Sequence, residues 1–365
     1  MERIPAPEPG IYPDIPEEEY RAWSDAYNWS ALKRCSISME QFHWDWHNPD
    51  EKDTKPRFEG RVLHEFFRDP KCAKYVCTPE AYPVLEKCDG AKVSVRVDSD
   101  DGRGFVVGRG LGKARKTWDV QILGGPDEYT LTGSIPDGLV EIKMQAWGPG
   151  TSKFCAAWKQ EQESHGRIVT TMDVLERCRG MAYRLRNVPD ILEFLDGAQH
   201  EVSIVWIDPQ TQLKCKSRLD VLKGAGIADL KSSARSVDND TFAWEVKRWE
   251  YAGQGGMYLD GLKQAMKALG KGFDGAPWFE FWAVQNFPPY TPHPWCLVDD
   301  PSEQPISFQW LQYGRQVWHS YLQQVAHCLK TGEWPGHHHE GQPFPSREEL
   351  FVPSNMTLLP KDTLL

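Results

Sequence analysis

The hydrophobic pattern of this chain changes period repeatedly along its length. Tyr20 to Arg34 has helical spacing, with Trp23, Tyr27, Ala31 and Leu32 as its apolar set and Ser30 as a candidate cap. Phe58 to Arg68 reads as a helix burying Val62, Leu63, Phe66 and Phe67, with Gly60 and His64 on one face. Residues 1–19 are proline-rich and acidic, and residues 46–57 are polar and turn-like. From 92 to 143 the period falls to two. Lys92–Val97, Phe105–Val107, Trp118–Leu123 and Leu139–Lys143 are short β-like runs between glycines.

Beyond residue 150 the two periods alternate. Residues 152–197 are helical in pattern. Glu201–Ile207 reads as a strand, Asp208–Thr211 as a turn, Leu213–Leu222 as a second strand and Ile227–Lys231 as a third. Asn239 or Asp240 is placed to cap one long helix running to about Leu269. Its stripe is Phe242, Val246, Trp249, Gly253, Gly256, Leu259, Leu262, Met266 and Leu269. Trp278–Gln285 is a further strand, and Phe308–Leu329 a final helix ended by Gly332 and Pro335. Strands alternating with helices predict an α/β fold with a mixed central sheet flanked by helices, and a β-rich insertion at 92–143.

Composition narrows the class. Of 365 residues, 40% are hydrophobic, enough for a substantial core. The net charge of -10 argues against a protein that coats nucleic acid over its whole surface, but a local basic strip can still hold a phosphate backbone. Arg103, Arg109, Lys113, Arg115 and Lys116 form such a strip, which reads equally as a solvated loop or as a DNA-binding track. Gly108–Lys113 lacks phosphate-loop spacing, and Ala114 stands where a hydroxyl would be needed. The nine cysteines are odd in number and form no C-x-x-C pair, which fits reduced thiols. With no signal peptide and no membrane-spanning run, the expectation is a cytoplasmic protein.

The chemistry concentrates at Asp220 and Asp229-Leu230-Lys231. A strand places Asp229 and Lys231 on one face and Leu230 on the other. Two carboxylates can hold Mg²⁺, which polarises a phosphate and activates water, while a lysine offsets charge building on the phosphate. Alone, an Asp-x-Lys triplet is commonly an edge-strand ion pair worth about 0–1 kcal/mol. His64 alone is commonly a core or surface histidine, Glu201 a solvated strand end, and Gln254 and Tyr258 the polar flank of a helix.

The ordered set Gly60-x-x-x-His64, Glu201, Asp220, Asp229-x-Lys231 and Gln254-x-x-x-Tyr258 resembles the PD-(D/E)xK nuclease superfamily. Within its RecB-like branch, the set is most similar to RecE-like (exonuclease VIII-type) phage and prophage exonucleases. Gly10–Tyr20, Ser30-Ala-Leu32, Ala157-Trp158, Ser203–Trp206 and Gly332–Gly336 also look like that family, and Leu219 stands where its signature has proline. The resemblance implies a restriction-endonuclease-like core. Asp220 and Asp229 would be metal ligands with the Leu230 carbonyl, His64 an imidazole ligand, and Glu201 a residue that binds or orients metal. Lys231 would be the catalytic lysine, with Gln254 and Tyr258 lining the site. It implies Mg²⁺, with Mn²⁺ as substitute and two ions in the site. It also implies a DNA substrate, a single-strand annealing partner, a ring-shaped homo-oligomer and no membrane. The chain then divides into 1–91, the N-terminal helical part of the nuclease domain; 92–143, the insertion; 144–336, the core; and 337–365, a flexible tail containing His337, His338 and His339. The expected activity is 5′-to-3′ digestion of duplex DNA ends to leave 3′ single strands. Competing readings are a RecB-like single-strand or flap endonuclease of a defence system, a metal-dependent RNase, and a non-catalytic DNA-binding scaffold of the same fold.

Overall fold

Two helical layers enclose a central sheet, and the sheet's own residues dictate which helix lies where. The computed structural model describes residues 3–49, 54–79, 153–302 and 305–336, with the backbone of seven strands between 81 and 146. The chain opens with β1 (Gly10–Tyr12), α1 (Glu17–Ala22), α2 (Trp29–Leu32), α3 (Met39–His47), α4 (Lys55–Arg68) and β2 (Tyr75–Cys77). There follow β3 (Ala81–Lys87), β4 (Lys92–Val97), β5 (Phe105–Leu111), β6 (Ala114–Thr117), β7 (Val120–Gly125), β8 (Glu128–Gly133) and β9 (Val140–Ala146). These pair as β3–β9, β4–β5–β6 and β7–β8. Next come α5 (Lys153–Ser164), β10 (Ile168–Thr170), α6 (Met172–Arg186), α7 (Pro189–Leu195), β11 (Gln199–Ile207), β12 (Lys214–Lys223) and β13 (Gly226–Ser233). The last elements are α8 (Asn239–Arg248), α9 (Tyr251–Ala268), β14 (Trp278–Gln285), β15 (Pro292–Val298) and α10 (Pro305–Thr331).

The central sheet has the order β1-β11-β12-β13-β14-β15 and is antiparallel except between β13 and β14. Alternate residues supply its two faces. Ile227, Phe279, Phe281 and Ala283 join one core with α3, α8, α9 and α10, through Phe42, Phe242, Leu259 and Trp318. Ala228, Leu230, Trp282 and Val284 join a second core with α4, α6 and α7, through Leu63, Phe66, Leu175 and Ile191. Burying side chains such as Phe279 or Leu63 contributes about 1.5–3 kcal/mol each.

The expected long helix from 239 to 269 is two helices. Asp238, one residue earlier than expected, caps α8 by accepting from the Thr241 N–H. The chain turns at Glu250, which has φ +53°, so the 3.6-residue phase restarts and Trp249 and Leu269 are left exposed. The helical spacing from Tyr20 to Arg34 is also interrupted. Tyr27 bridges to Cys215 at the start of β12, exchanging hydrogen bonds with Lys214 and Lys216, and α2 starts afresh under an Asn28 cap rather than Ser30. Residues 46–57, expected to be turn-like throughout, hold the end of α3 and the start of α4. Strands β1, β2, β10 and β15 are too short or too irregular in pattern to read from the sequence. The described cysteines carry free thiols, and no helix among the described residues is long and apolar enough to cross a membrane.

Helices α9 and α10 cross closely because glycine allows it. A Cβ on Gly314 would lie 1.9 Å from the Ala252 carbonyl oxygen, and one on Gly256 2.9 Å from the Arg315 nitrogen. Beside this crossing, Arg315 donates Nη1 and Nη2 to Asp299 at 2.7 and 2.6 Å and Nε to Asp260 at 2.9 Å, and Lys263 also pairs with Asp299. Burial opposes the Asp299 carboxylate, but Arg315 and Lys263 outweigh it and hold its pKa below the usual range.

We expect Gly314→Ala to lose about 1–3 kcal/mol of unfolding free energy in urea titration, as overpacking does. Gly60→Ala, whose Cβ would meet nothing within 4 Å, should be neutral or stabilising. Asp299→Asn should cost about 1.5–3 kcal/mol near neutral pH by removing the carboxylate charge that Arg315 and Lys263 share, with Arg315 keeping its bond to Asp260. A carboxyl whose pKa is lowered on folding contributes fully above its unfolded value and loses that contribution as pH falls through its folded value. The difference between wild type and Asn variant should therefore close on acidification; a gap constant down to acid pH would contradict the assignment.

Candidate active site

The site forms where β11 and β12 reverse their faces. Up to Leu219, odd positions of β12 enter the α9-side core; beyond Asp220 the odd position, Val221, enters the other core. β11 does the same. Val202, Ile204 and Trp206 face the α9 side, whereas His200 packs on Phe67 of α4. The reversal falls on the rung between the His200↔Val221 and Val202↔Leu219 pairs, occupied by Glu201 and Asp220. Glu201 there has φ +54°, a left-handed backbone costing a non-glycine residue about 1–3 kcal/mol.

The next strand completes the opening. Pairing of β12 with β13 ends at Val221↔Ala228. Asp220 Oδ2 then accepts the Leu230 N–H at 2.8 Å, so a side chain replaces the ladder. Asp229 and Lys231 project toward α9. There Gln254 donates Nε2 to Asp229 Oδ1 at 2.6 Å, while the Lys231 ammonium pairs with Asp229 Oδ2, a buried atom that accepts no aligned hydrogen bond. The opposite core contributes His64 from α4. Its Nδ1 lies 3.7 Å from Glu201 Oε1 and 3.7 Å from Asp220 Oδ1. Tyr258 lies one turn beyond Gln254 with its ring edge-on to Phe279.

Thus His64, Glu201 and Asp220 converge, and Asp229, Lys231 and Gln254 form an adjoining hydrogen-bonded group. Leu230 serves through its backbone N–H while its side chain is core. Of the basic strip, Arg103 and Lys113 lie outside the described residues, as do the side chains of Arg109, Arg115 and Lys116, and His337–His339. Two site neighbours escaped the sequence reading. Arg218 donates Nε to Glu201 Oε2 at 2.8 Å and Nη1 to the Ile15 carbonyl and Ser203 Oγ, holding Glu201 in place. The Tyr251 ring lies 4.8 Å from Lys231 Nζ. Its spacing of three and seven from Gln254 and Tyr258 puts it on their helix face, the signal that could have revealed it.

Electrostatics reflect acids gathered out of water. Burial pushes the Asp220 carboxyl up; His64 opposes the rise, while Asp229 and Glu201 add to it. Burial also opposes the Glu201 carboxylate, but His64 and Arg218 outweigh it and hold its pKa down. For His64, burial disfavours the imidazolium, yet Asp220 and Glu201 outweigh burial and raise its pKa. The same sign applies to Lys231, where Asp229 and Tyr251 outweigh desolvation. One ligand atom each from His64, Glu201 and Asp220 lies within 4.8 Å of the others. One imidazole and two carboxylates, with a third acid adjacent, fit a divalent cation of hard or borderline character.

A mixed, mostly antiparallel sheet flanked by helices, with acids and a lysine on its split central strands, defines a PD-(D/E)xK superfamily domain. The chain belongs to the family described as PDDEXK-like domain of unknown function (DUF3799), whose model matches residues 149–342. His64, on α4, lies before that segment. No curated protein matches. Among solved structures, a “Putative exonuclease” from Eubacterium rectale is similar, at 11% identity and a TM-score of 0.44 over 87% of each chain.

Asp220→Asn keeps an oxygen for the Leu230 N–H and removes one charge. Calorimetric titration should show Mn²⁺ and Mg²⁺ binding weakened about tenfold or more in this variant at little change in thermal stability. Unaltered cation affinity would remove Asp220 from the ligand set.

Proposed function

We propose that this protein is a divalent-metal-dependent DNA exonuclease of the RecE-like kind. It digests duplex ends in the 5′-to-3′ direction as a ring-shaped homo-oligomer, leaving 3′ single strands for a single-strand annealing protein. The observation that carries the reading is the convergence of His64, Glu201 and Asp220 beside the Asp229–Lys231 pair. End dependence and polarity rest on the sequence resemblance, since a fold alone does not decide them.

In this reading His64, Glu201 and Asp220 would hold a cation, with Asp229 and the Leu230 carbonyl as further oxygen donors, and the resemblance implies two ions. Mg²⁺ suits the carboxylates, and Mn²⁺ is also compatible with the imidazole. A cation held there would supply polarisation of the scissile phosphate and a lowered pKa for the attacking water. Lys231 presents a fixed ammonium to the water and to charge developing on the phosphate. Gln254 restricts Asp229 to one orientation, and Arg218 does the same for Glu201, so the acids need little rearrangement when substrate arrives. Tyr251 covers one side of Lys231, and Tyr258 closes the α9 wall.

The test is digestion of end-labelled linear duplex, nicked circle and circular single strand with Mg²⁺ or EDTA. The expected result is nucleotide loss from 5′ ends alone, abolished by EDTA and slowed about a hundredfold or more by Lys231→Ala. Cutting of the circular strand would replace the exonuclease reading with the endonuclease one. An undigested set of DNA substrates would remove DNA nuclease activity altogether.

A further inference from the structure

Two tryptophans stand open where the catalytic strand leaves the site. Trp244 and Trp249 are each 43% exposed. Arg235 lies 4.5 Å and Arg248 4.8 Å from the Trp244 ring; Arg248 lies 5.1 Å and Lys33 5.5 Å from the Trp249 ring. Lys33 Nζ also donates to the Trp249 carbonyl at 2.6 Å, and Lys247 is exposed on the same helix. In a chain of net charge -10, four cations interleaved with two open aromatic rings form a distinct local feature. Of the nearby acids, Glu245 turns inward to accept from Ser233 and Asp238 caps α8. Glu250 accepts from Tyr321 and also faces Lys33, and Asp240 is exposed one turn before Trp244, so the patch keeps an excess of positive charge rather than being free of acids.

The patch adjoins the chemistry. Arg235 follows Lys231 by four residues on the chain leaving β13, and Trp249 precedes Tyr251 by two. Exposed cation–π contacts contribute about 0.5–1 kcal/mol, less than burying large rings would, so stability does not account for leaving both open. We infer that this patch is a track for single-stranded DNA beside the active site, with bases stacking on Trp244 and Trp249 and phosphates meeting Arg235, Arg248, Lys247 and Lys33. The inference rests on the DNA-nuclease reading and adds to it a substrate contact remote from the metal ligands. Open aromatic faces and interspersed cations match a strand whose bases are unpaired, whereas in a duplex the base faces stack on one another and are closed to such rings.

The experiment measures binding of a labelled short oligothymidylate to the full chain in EDTA, by anisotropy and tryptophan quenching, alongside digestion in Mg²⁺. The double variant Trp244→Ala/Trp249→Ala should bind about tenfold or more weakly, since each stacked base is worth about 1–3 kcal/mol. The charge variant Arg235→Gln/Arg248→Gln should flatten the salt slope by about 0.7 for each phosphate that no longer meets a cation. Lys231→Ala should cut about a hundredfold or more slowly while the oligothymidylate still quenches tryptophan fluorescence. If wild type digests DNA and both patch variants bind with unchanged affinity and salt slope, the track is overturned and the nuclease reading stands. Blunt duplex that competes as well as oligothymidylate, and is equally weakened by the tryptophan changes, would overturn the single-strand assignment. A wild type that neither binds nor cuts DNA would overturn both.

Discussion

The face reversal at Glu201 and Asp220 is the constraint on which the site depends. A regular pair of strands would send both acids to one face and continue its hydrogen-bond ladder into β13. Here both strands turn over on the same rung, and the ladder yields to a carboxylate. Asp220 caps Leu230, so the opening carries no orphaned amide at that point. Glu201 accepts a left-handed backbone, and Arg218 fastens its carboxylate. The cost of that irregularity is met by side chains that the site itself uses.

Because the opening sits between the two cores, both helical layers reach it. Helix α4 delivers His64 from one layer, and α9 delivers Tyr251, Gln254 and Tyr258 from the other. Glycines along α9 let it lie close to its neighbours. A Cβ at Gly253 would come 2.2 Å from the Trp29 ring, and one at Gly261 2.6 Å from Trp206. The crossing with α10 and the Arg315 ion-pair group hold the same helix from behind. Gln254 therefore meets Asp229 from a fixed support, which is what a site with buried acids requires. Three acids share this space with Lys231, His64 and Arg218, and burial still drives Asp220 upward. A site with that balance favours cations, whether metal ions or the protein's own.

Much of this architecture is legible in the sequence. The period-two runs at 201–207, 213–222, 227–231 and 278–285 locate the central strands within one or two residues at most ends, because buried strands need apolar side chains at fixed spacing. The Phe58–Arg68 helix and the last helix are equally plain. Departures cluster where tertiary contacts override local pattern. Nothing local shows that Glu250 breaks the 239–269 segment, since its left-handed backbone is stabilised by neighbours rather than by its own identity. Nor does spacing show that Tyr27 would leave a helical run to bridge β12, or that residues 10–12 would become an edge strand.

The sequence by itself determined the strand and helix periods, the alternation that separates Asp229 and Lys231 from Leu230, and the ordered acids, histidine and lysine that resemble a nuclease signature. These follow from side-chain chemistry at short separations along the chain. Only the tertiary structure decided that Glu201 and Asp220 would meet His64, that Arg218 would anchor Glu201, that Tyr251 would cover Lys231, and that Trp244 and Trp249 would stay open beside them. Those contacts join positions as much as 156 residues apart, as between His64 and Asp220. They depend on how strands twist, reverse and stack, and no periodicity along the chain encodes that.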